Sequence, residues 1–488
     1  MPKGVTPRSQ DYARWYTDVV RKAELADYGP VRGSMVIRPY GYAIWDAIRE
    51  AYDRRFKATG HVNAYFPLLI PRSYFSREAE HVEGFAKECA VVTHSRLRAA
   101  PDGGVEVDPE SKLEEELVLR PTSETVIWAM YKQWINSYRD LPILINQWAN
   151  IVRWELRTRL FLRTSEFLWQ EGHTAHATEA EAREEALLIL DIYKEVAETE
   201  MALPVISGLK SDAEKFAGAV QTWAIEAMMG DRRALQAGTT HFLGQNFARA
   251  FDVTFRNEAN EEEYVWATSW GVSTRLVGAV VMAHGDDQGL RLPPRIAPIQ
   301  VVIVPIYKDE SKDQVMTAAR QLTADLEQAG VRVKLDDRDN VTPGFKFNDW
   351  EMKGVPVRIE IGPKDMAAGQ AVLVRRDVEG KSSLTLEQIP QEAPRLLEEI
   401  QNCLYRQAEA FCSTHTKELD DWEKFKEFME WGGFAVCGWD GDSASEAAIK
   451  EETKATIRCI LENEDPSGLK CIYSAKPAKY KVVLARAY

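Results

Sequence analysis

The chain has 488 residues, 45% hydrophobic and 28% charged, an ordinary globular composition with enough apolar surface for about three domains. No run of about 18 apolar residues occurs, and the start, MPKGVTPRSQDYARWY, lacks an apolar core, so no membrane span and a cytoplasmic location are expected. The formal net charge of −14 argues against nucleic-acid binding by the surface as a whole, though not by a local patch. Between residues 300 and 381 acidic and basic side chains nearly balance, so the acidity lies elsewhere. Six cysteines, at 89, 403, 412, 437, 459 and 471, form no CxxC pair and are too sparse for a disulfide scaffold.

Residues 10–26 read as a helix stopped by Tyr28-Gly29-Pro30. IRPYGYAIWDAIREAYDRRFKATG gives a second, with Ile44, Ile48, Ala51, Tyr52 and Phe56 at helical spacing and Gly60 as its stop. NAYFPLLIP follows as a strand limited by Pro67 and Pro71. Phe85 and VVTHS suggest another strand, and APDGGVEVDPES a turn-rich loop. LVLRPTSETVIWAMYKQW passes from strand to helix, with Pro121 in the first helical turn.

The stretch 151–173, IVRWELRTRLFLRTSEFLWQEGH, has a period of two. Val152, Trp154 and Leu156 fall on one face, and Arg153 and Glu155 on the other. Arg157, Arg159 and Arg163 interrupt, and then Phe167, Trp169, Glu171 and His173 share a side. The pattern predicts an antiparallel hairpin with a long cationic tip. A solvated amphipathic hairpin would explain the alternation. It would not explain an Arg and a Glu two apart beside three more arginines. A guanidinium fork fits phosphate oxygens, and a carboxylate accepts from an amine, so the set suits an anionic nucleotide carrying an amino group.

A helix over 178–201 shows an acidic solvated face, and SDAEKFAGA follows. In LQAGTTHFLGQNFARAF, Gly238 breaks the alternation, so the faces of Gln236, Thr239 and His241 stay unassigned. EEYVWATSWGVSTRLVGAVVMAHGDD reads as a strand, a turn at Gly271 and a helix with Arg275 in its first turn. A helix N-terminus is already positive, so an arginine there makes sense when an anion is bound. LPPRIAP, 292–298, is a rigid linker. Beyond it, strands IQVVIVPI, VRVKL, VPVRIEIG and QAVLVRR alternate with helices at 311–330 and 343–354, a compact α/β module. Residues 400–488 give helices through FKEFMEWGG and strands at FAVCGW, ATIRCI and VVLARAY.

The runs RWE (153–155), FLRTSEFLWQEGH (161–173) and PTSET (121–125) resemble class II aminoacyl-tRNA synthetases, specifically the archaeal and eukaryotic-like prolyl type, over nearly the whole chain. The resemblance implies an α+β fold: a class II antiparallel sheet with helices in 1–291, an α/β anticodon-binding domain in 298–400 and a small α+β C-terminal domain in 401–488. Its first motif, the helix and strand up to Pro71, would build a homodimer interface. It implies ATP-dependent activation of L-proline and transfer to the 3′ end of tRNA(Pro), with alanine and cysteine as mis-activated competitors. ATP is a substrate with Mg²⁺ shielding its phosphates.

By the same resemblance, Arg153, Glu155 and Arg275 would be catalytic. Thr122, Glu124, Arg153, Trp169, Glu171, His173, Phe216 and His241 would hold proline. Arg153, Glu155, Arg163, Thr164, Gln236, Thr239, Ser273 and Arg275 would hold ATP. Phe347, Glu351 and Lys353 are candidates for anticodon contact, an aromatic to stack and two charges to read base edges. The family often carries a four-cysteine zinc site near the end. Here Cys437 and Cys471 keep sulfur, while Ser445 and Ser474 stand at the other two positions and Cys459 lies off the pattern. Zinc is therefore not expected, and packing is expected to hold the module. The terminal Tyr488 carboxylate of this subgroup can approach the active site. The interval from His173 to Gln236 is too short for an editing domain. A threonine, serine, glycine or histidine enzyme, or a non-catalytic paralogue, stays open as an alternative.

Overall fold

The computed structural model describes residues 4–75, 88–155 and 157–488; Phe85 and Leu156 lie outside them. The first helix, Tyr12–Lys22, is capped by Asp11 and buries Trp15, Tyr16, Val19 and Val20. It is shorter than 10–26 because Ala26–Tyr28 leaves it to pair with Met35–Ile37. Pro39–Ala58 opens on a proline, buries the five residues expected of it and stops before Gly60 at φ +90°.

NAYFPLLIP is not one strand. Val62–Asn63 joins the edge of the main sheet, and Leu69–Pro71 joins a separate three-stranded sheet with Lys112–Leu119 and Val91–His94. Pro67, without an N–H, lies at the break. The turn-rich loop contains a small ribbon, Leu97–Ala99 against Val105–Val107. Pro121 lies ahead of its helix, which starts at Glu124 after Ser123. Gly271 is no turn: it sits inside the strand Trp266–Ser273, paired to Glu171 and Thr239, and the chain turns at Thr274.

The site stands on an eleven-stranded sheet. From one edge its strands are Thr416–Glu418, Phe434–Trp439, Tyr480–Ala485, Thr456–Ile460, Val205–Leu209, Gln221–Met228, Ala234–Gly244, Trp266–Ser273, Glu166–His176, Ile143–Val152 and Val62–Asn63. Pairing is antiparallel except at the two edges. One face is covered by Pro39–Ala58, Glu179–Thr199 and Arg275–His284. There Trp270, Val272, Ile225, Ala227, Leu235 and Ala237 pack with Phe56, Ile189, Tyr193 and Leu276. The alternate residues of the same strands are left for the opposite face.

The C-terminal strands extend this sheet rather than forming a sheet of their own. The junction is the pair Leu209↔Ile460. Glycine is needed beside it, because a Cβ on Gly208 would lie 2.6 Å from the Ile460 carbonyl oxygen. The helix Ile389–Thr414 also runs unbroken through residue 400, where the sequence suggests a boundary.

The second sheet orders as Val333–Leu335, Val301–Pro305, Val357–Ile361, Gln370–Arg375 and Ser382–Thr385. Its first two pairings are parallel and the others antiparallel. Lys312–Gln328 and Pro343–Met352 pack on it, the α/β module expected. Among the described residues no helix is long and apolar enough to cross a membrane.

Candidate active site

The open face of the main sheet holds a cavity of about 340 Å³. The hairpin Ile143–Val152/Glu166–His176 forms as its alternation predicts, and Phe167, Trp169, Glu171 and His173 all line this cavity. Glu171 and His173 are buried and 3.0 Å apart, Oε2 to Nε2. Glu171 Oε1 accepts from Ser123 Oγ at 2.5 Å and Gln147 Nε2 at 2.7 Å. Burial alone would raise the Glu171 carboxyl, but the bonds from His173, Ser123 and Gln147 hold it below its ordinary range. Burial would depress His173, and Glu171 overcomes that and raises it. The two form an ion pair at the floor.

Beside them Glu124 is buried and accepts from the Thr122 hydroxyl. Arg153 lies over the Phe167 and Trp169 rings, 5.8 and 5.6 Å from their centres, and donates from Nε to the Pro121 carbonyl at 3.0 Å. Burial pulls its pKa down against the favourable charges of Glu124, Glu88 and Glu171. Across the cavity the Phe216 and His241 rings stack 4.5 Å apart, and His241 Nδ1 meets the Thr222 hydroxyl at 2.9 Å. Trp169, His173 and Ser269 line the cavity, and their Nε1, Nδ1 and Oγ atoms are buried without a partner among the described residues. Such a wall, in which aromatic rings alternate with convergent polar and charged groups, fits a small polar ligand.

The other end is cationic. Gln236, Thr239, Ser273 and Arg275 line it together with Arg153. A β-bulge explains why Gln236 and Thr239, three apart, share a face: Gln236 pairs with Glu226 and Gly238 with Ile225, so Ala237 has no opposite residue. Arg275 opens its helix and donates from Nε to the Leu162 carbonyl at 3.2 Å. Burial, then the neighbouring Arg163 and Arg153, pull its pKa down to about 10. A group of cations this crowded awaits an anion.

Three expected members are off the wall. Glu155 turns back into the hairpin tip, accepting from the Arg157 backbone N–H at 2.8 Å and facing Arg163 Nε at 3.4 Å. Arg163 is mostly exposed and reaches the cavity through its charge on Arg275. Thr164 is buried and donates to the Glu166 carbonyl at 2.7 Å. Sequence reasoning gave Phe167 a face but no role, and missed Glu214, Lys215, Thr222 and Ser269 as wall residues. Phe167 lies within the alternation that marked Trp169, and Ser269 alternates with Gly271 and Ser273 on its strand. Glu214 and Lys215 sit in a loop with no such period.

In the second sheet's module Phe347 is half-buried with the Arg358 guanidinium 4.4 Å from its ring centre, and Glu351 lies one turn on. Lys353 is the exception. It is 14% exposed and bound to Glu24 at 2.9 Å and Asp349 at 3.4 Å, so it ties this helix to the N-terminal region rather than presenting a free ammonium.

At the sequence positions of a zinc site, Cys437 and Cys471 are buried, and the two serines converge on a carboxylate. Ser445 Oγ donates to Asp440 Oδ1 at 2.6 Å and Ser474 Oγ to Asp440 Oδ2 at 2.5 Å. Burial would raise Asp440, but these bonds, with others from the Asp442 backbone and Cys471, hold it below its ordinary value. Two thiols, two hydroxyls and a carboxylate already saturated by them do not fit zinc. Packing alone is thus not what ties the module: a hydrogen-bonded centre does so as well.

Three family profiles match successive parts of the chain. Residues 106–284 match the tRNA synthetase class II core domain (G, H, P, S and T), 300–396 the anticodon binding domain and 422–488 the prolyl-tRNA synthetase C-terminal domain. A proline–tRNA ligase of Bacteroides fragilis is 58% identical, covering 100% of this chain and 99% of its own. One of Porphyromonas gingivalis is 57% identical with the same coverage. One of Flavobacterium johnsoniae is 56% identical over 100% of both. With a class II core, a cavity that joins a carboxylate–histidine floor to clustered arginines, and full-length relatives of this kind, the chain belongs to the proline–tRNA ligase family of class II aminoacyl-tRNA synthetases.

Proposed function

We propose that the chain activates L-proline with ATP to prolyl-adenylate and transfers the prolyl group to the 3′ end of tRNA(Pro). The observation that carries the assignment of roles is that Arg153 and Arg275, far apart in sequence, face one cavity whose other end is the Glu171–His173 pair. Proline enters with its secondary ammonium toward Glu124 and Thr122 and its ring between Trp169 and the Phe216–His241 stack. Its carboxylate points to Arg153. ATP lies along Gln236, Thr239 and Ser273 with its phosphates between Arg153 and Arg275, and Mg²⁺ arrives with it as part of the substrate.

The proline carboxylate attacks the α-phosphorus and pyrophosphate leaves. A terminal ribose hydroxyl of tRNA then attacks the adenylate carbonyl. No protein nucleophile is required: positioning and charge stabilisation supply the rate. Arg153 touches both reactants and is catalytic; Arg275 neutralises the departing pyrophosphate. Glu155 and Arg163, in the hairpin tip, border the nucleotide. Alanine lacks two of the ring methylenes, each worth about 1–3 kcal/mol, so discrimination against it is limited. Only one helix and two strands lie between His176 and Ala234, which supports the absence of an editing module.

The division into 1–291, 298–400 and 401–488 assigns catalysis, anticodon recognition and a C-terminal buttress. Phe347 and Glu351 are the anticodon contacts. The protein acts in the cytoplasm as a homodimer, supported by exposed Val62, Tyr65 and Leu69 at 61, 70 and 41% in and beside the first motif. The deciding experiment is pyrophosphate exchange with a panel of amino acids, together with charging of tRNA(Pro). Exchange with proline far above threonine, serine, glycine and histidine is expected. No exchange with any of them would leave a non-catalytic paralogue, and a maximum at another amino acid would reassign the substrate.

A further inference from the structure

A second charged cluster lies beside the cationic end of the cavity. Glu226 pairs across the sheet with Gln236, and cross-strand pairs point to the same face, so its side chain is on the cavity side of the sheet. It is 1% exposed. Its Oε1 takes Lys210 Nζ at 2.7 Å and Arg458 Nη2 at 2.7 Å. Its Oε2 is buried with no hydrogen-bond partner among the described residues. Lys210 follows the strand Val205–Leu209 of the catalytic sheet, whereas Arg458 belongs to Thr456–Ile460 of the C-terminal region. Arg458 is itself buried, 3.8 Å from Glu214, a wall residue, and 2.9 Å from the Thr456 hydroxyl.

Two cations on one carboxylate oxygen fix it firmly, and Glu214 beside Arg458 supplies the second negative charge of the cluster. The second oxygen is left without a donor. The Gln236 carbonyl opposite Glu226 accepts from Arg275 Nη1 at 3.5 Å, so the arginine and the carboxylate flank one residue. Arg275 is otherwise held by the single carbonyl of Leu162. Of the charges that act on it, Glu226 is the favourable one, against Arg163, Arg153 and Arg458.

We propose that Glu226 is a positioning residue that acts on Arg275 through its charge and through Gln236, which lies between them, rather than by a direct bond, and that the C-terminal region takes part in ATP binding by fixing Glu226 through Arg458. The carboxylate offsets the mutual repulsion of the arginines while the cavity is empty and aims Arg275 along the phosphates when it is filled. This rests on the placement of the triphosphate at Arg275.

The test is proline-dependent pyrophosphate exchange by the full chain, with KM for ATP and for proline measured separately. Glu226→Gln is expected to raise KM for ATP by about tenfold, within the coupling usual for members of one charge network, and to leave KM for proline within about twofold. Arg458→Met, which keeps the Lys210–Glu226 pair, is expected to raise KM for ATP several-fold, and Arg458→Lys to restore most of it. Should Glu226→Gln fail to fold, the Arg458 pair of variants decides. Unchanged KM for ATP, or equal rises in both KM values that follow a fall in Tm, would reduce the cluster to a structural role. Arg275→Ala is the control: if KM for ATP does not rise in it, the triphosphate placement fails, independently of Glu226.

Discussion

Arg275 should cost stability in the empty protein and repay it only in function. Its pKa falls from 12.5 to about 10, so the charged form is disfavoured by folding at every pH below about 10. At 1.36 kcal/mol per unit the difference is about 3 kcal/mol at pH 7, and partial access to cavity water reduces it to about 2–3. Arg275→Met keeps the stem and removes the charge. It also leaves the Leu162 carbonyl without its donor, a loss of about 1 kcal/mol. The net expectation is a ligand-free protein more stable by about 1–2 kcal/mol, with pyrophosphate exchange lower by about 10²–10³, the usual cost of losing one charge stabiliser at a reacting phosphate. Denaturant unfolding with and without ATP reads the first and the exchange assay the second: the variant should unfold later without ATP and gain less from it than the parent does. A variant less stable than the parent, or exchange within tenfold of it, would refute the reasoning from crowded cations.

Asp440→Ala removes the acceptor for Ser445 and Ser474 and should destabilise the C-terminal region by about 2–4 kcal/mol, seen as early loss of amide-exchange protection there; added zinc should not restore it. His284 is buried with Nε2 on the Met201 carbonyl at 2.9 Å, and burial pushes its pKa down to about 4. Because the folded value lies below the unfolded 6.5, its contribution is present above pH 6.5 and is lost as pH falls toward 4, up to about 3 kcal/mol. His284→Gln should flatten that part of the stability–pH curve; an unchanged slope would exclude the histidine as its source. Gly172→Ala places a methyl inside the Trp270 ring, its cross-strand partner, and should cost about 1–3 kcal/mol or more while displacing the adjacent Glu171 and His173, read as a raised KM for proline.

The sequence made the site legible where local period and chemistry coincide. Phe167, Trp169, Glu171 and His173 alternate without interruption, so one face could be read directly. Gln236, Thr239 and His241 share a face only through a bulge at Ala237, and no periodicity reveals a bulge in advance. Glu155 and Lys353 have the right chemistry and the wrong neighbours: Arg163 and Glu24 engage them, and the second of these is over three hundred residues away. The same limit hid the fusion of the C-terminal strands with the catalytic sheet, since a pair such as Leu209↔Ile460 leaves no mark on either local pattern. Asp440 carries no such mark either: cysteine spacing signals sulfur ligands, while Ser445 and Ser474 build an oxygen centre on a carboxylate that no spacing singles out.

That pairing of Leu209 with Ile460 has a consequence for biosynthesis. About 250 residues separate the two, and at about 5–20 residues per second a ribosome needs on the order of 10–50 s to span them. Throughout that time the edge of Val205–Leu209 that Ile460 later joins at Leu209 lacks its C-terminal neighbour, and an uncovered strand edge is the kind of surface on which nascent chains adhere to one another. A message truncated anywhere in this interval would therefore yield an adhesive fragment and not merely a shortened enzyme.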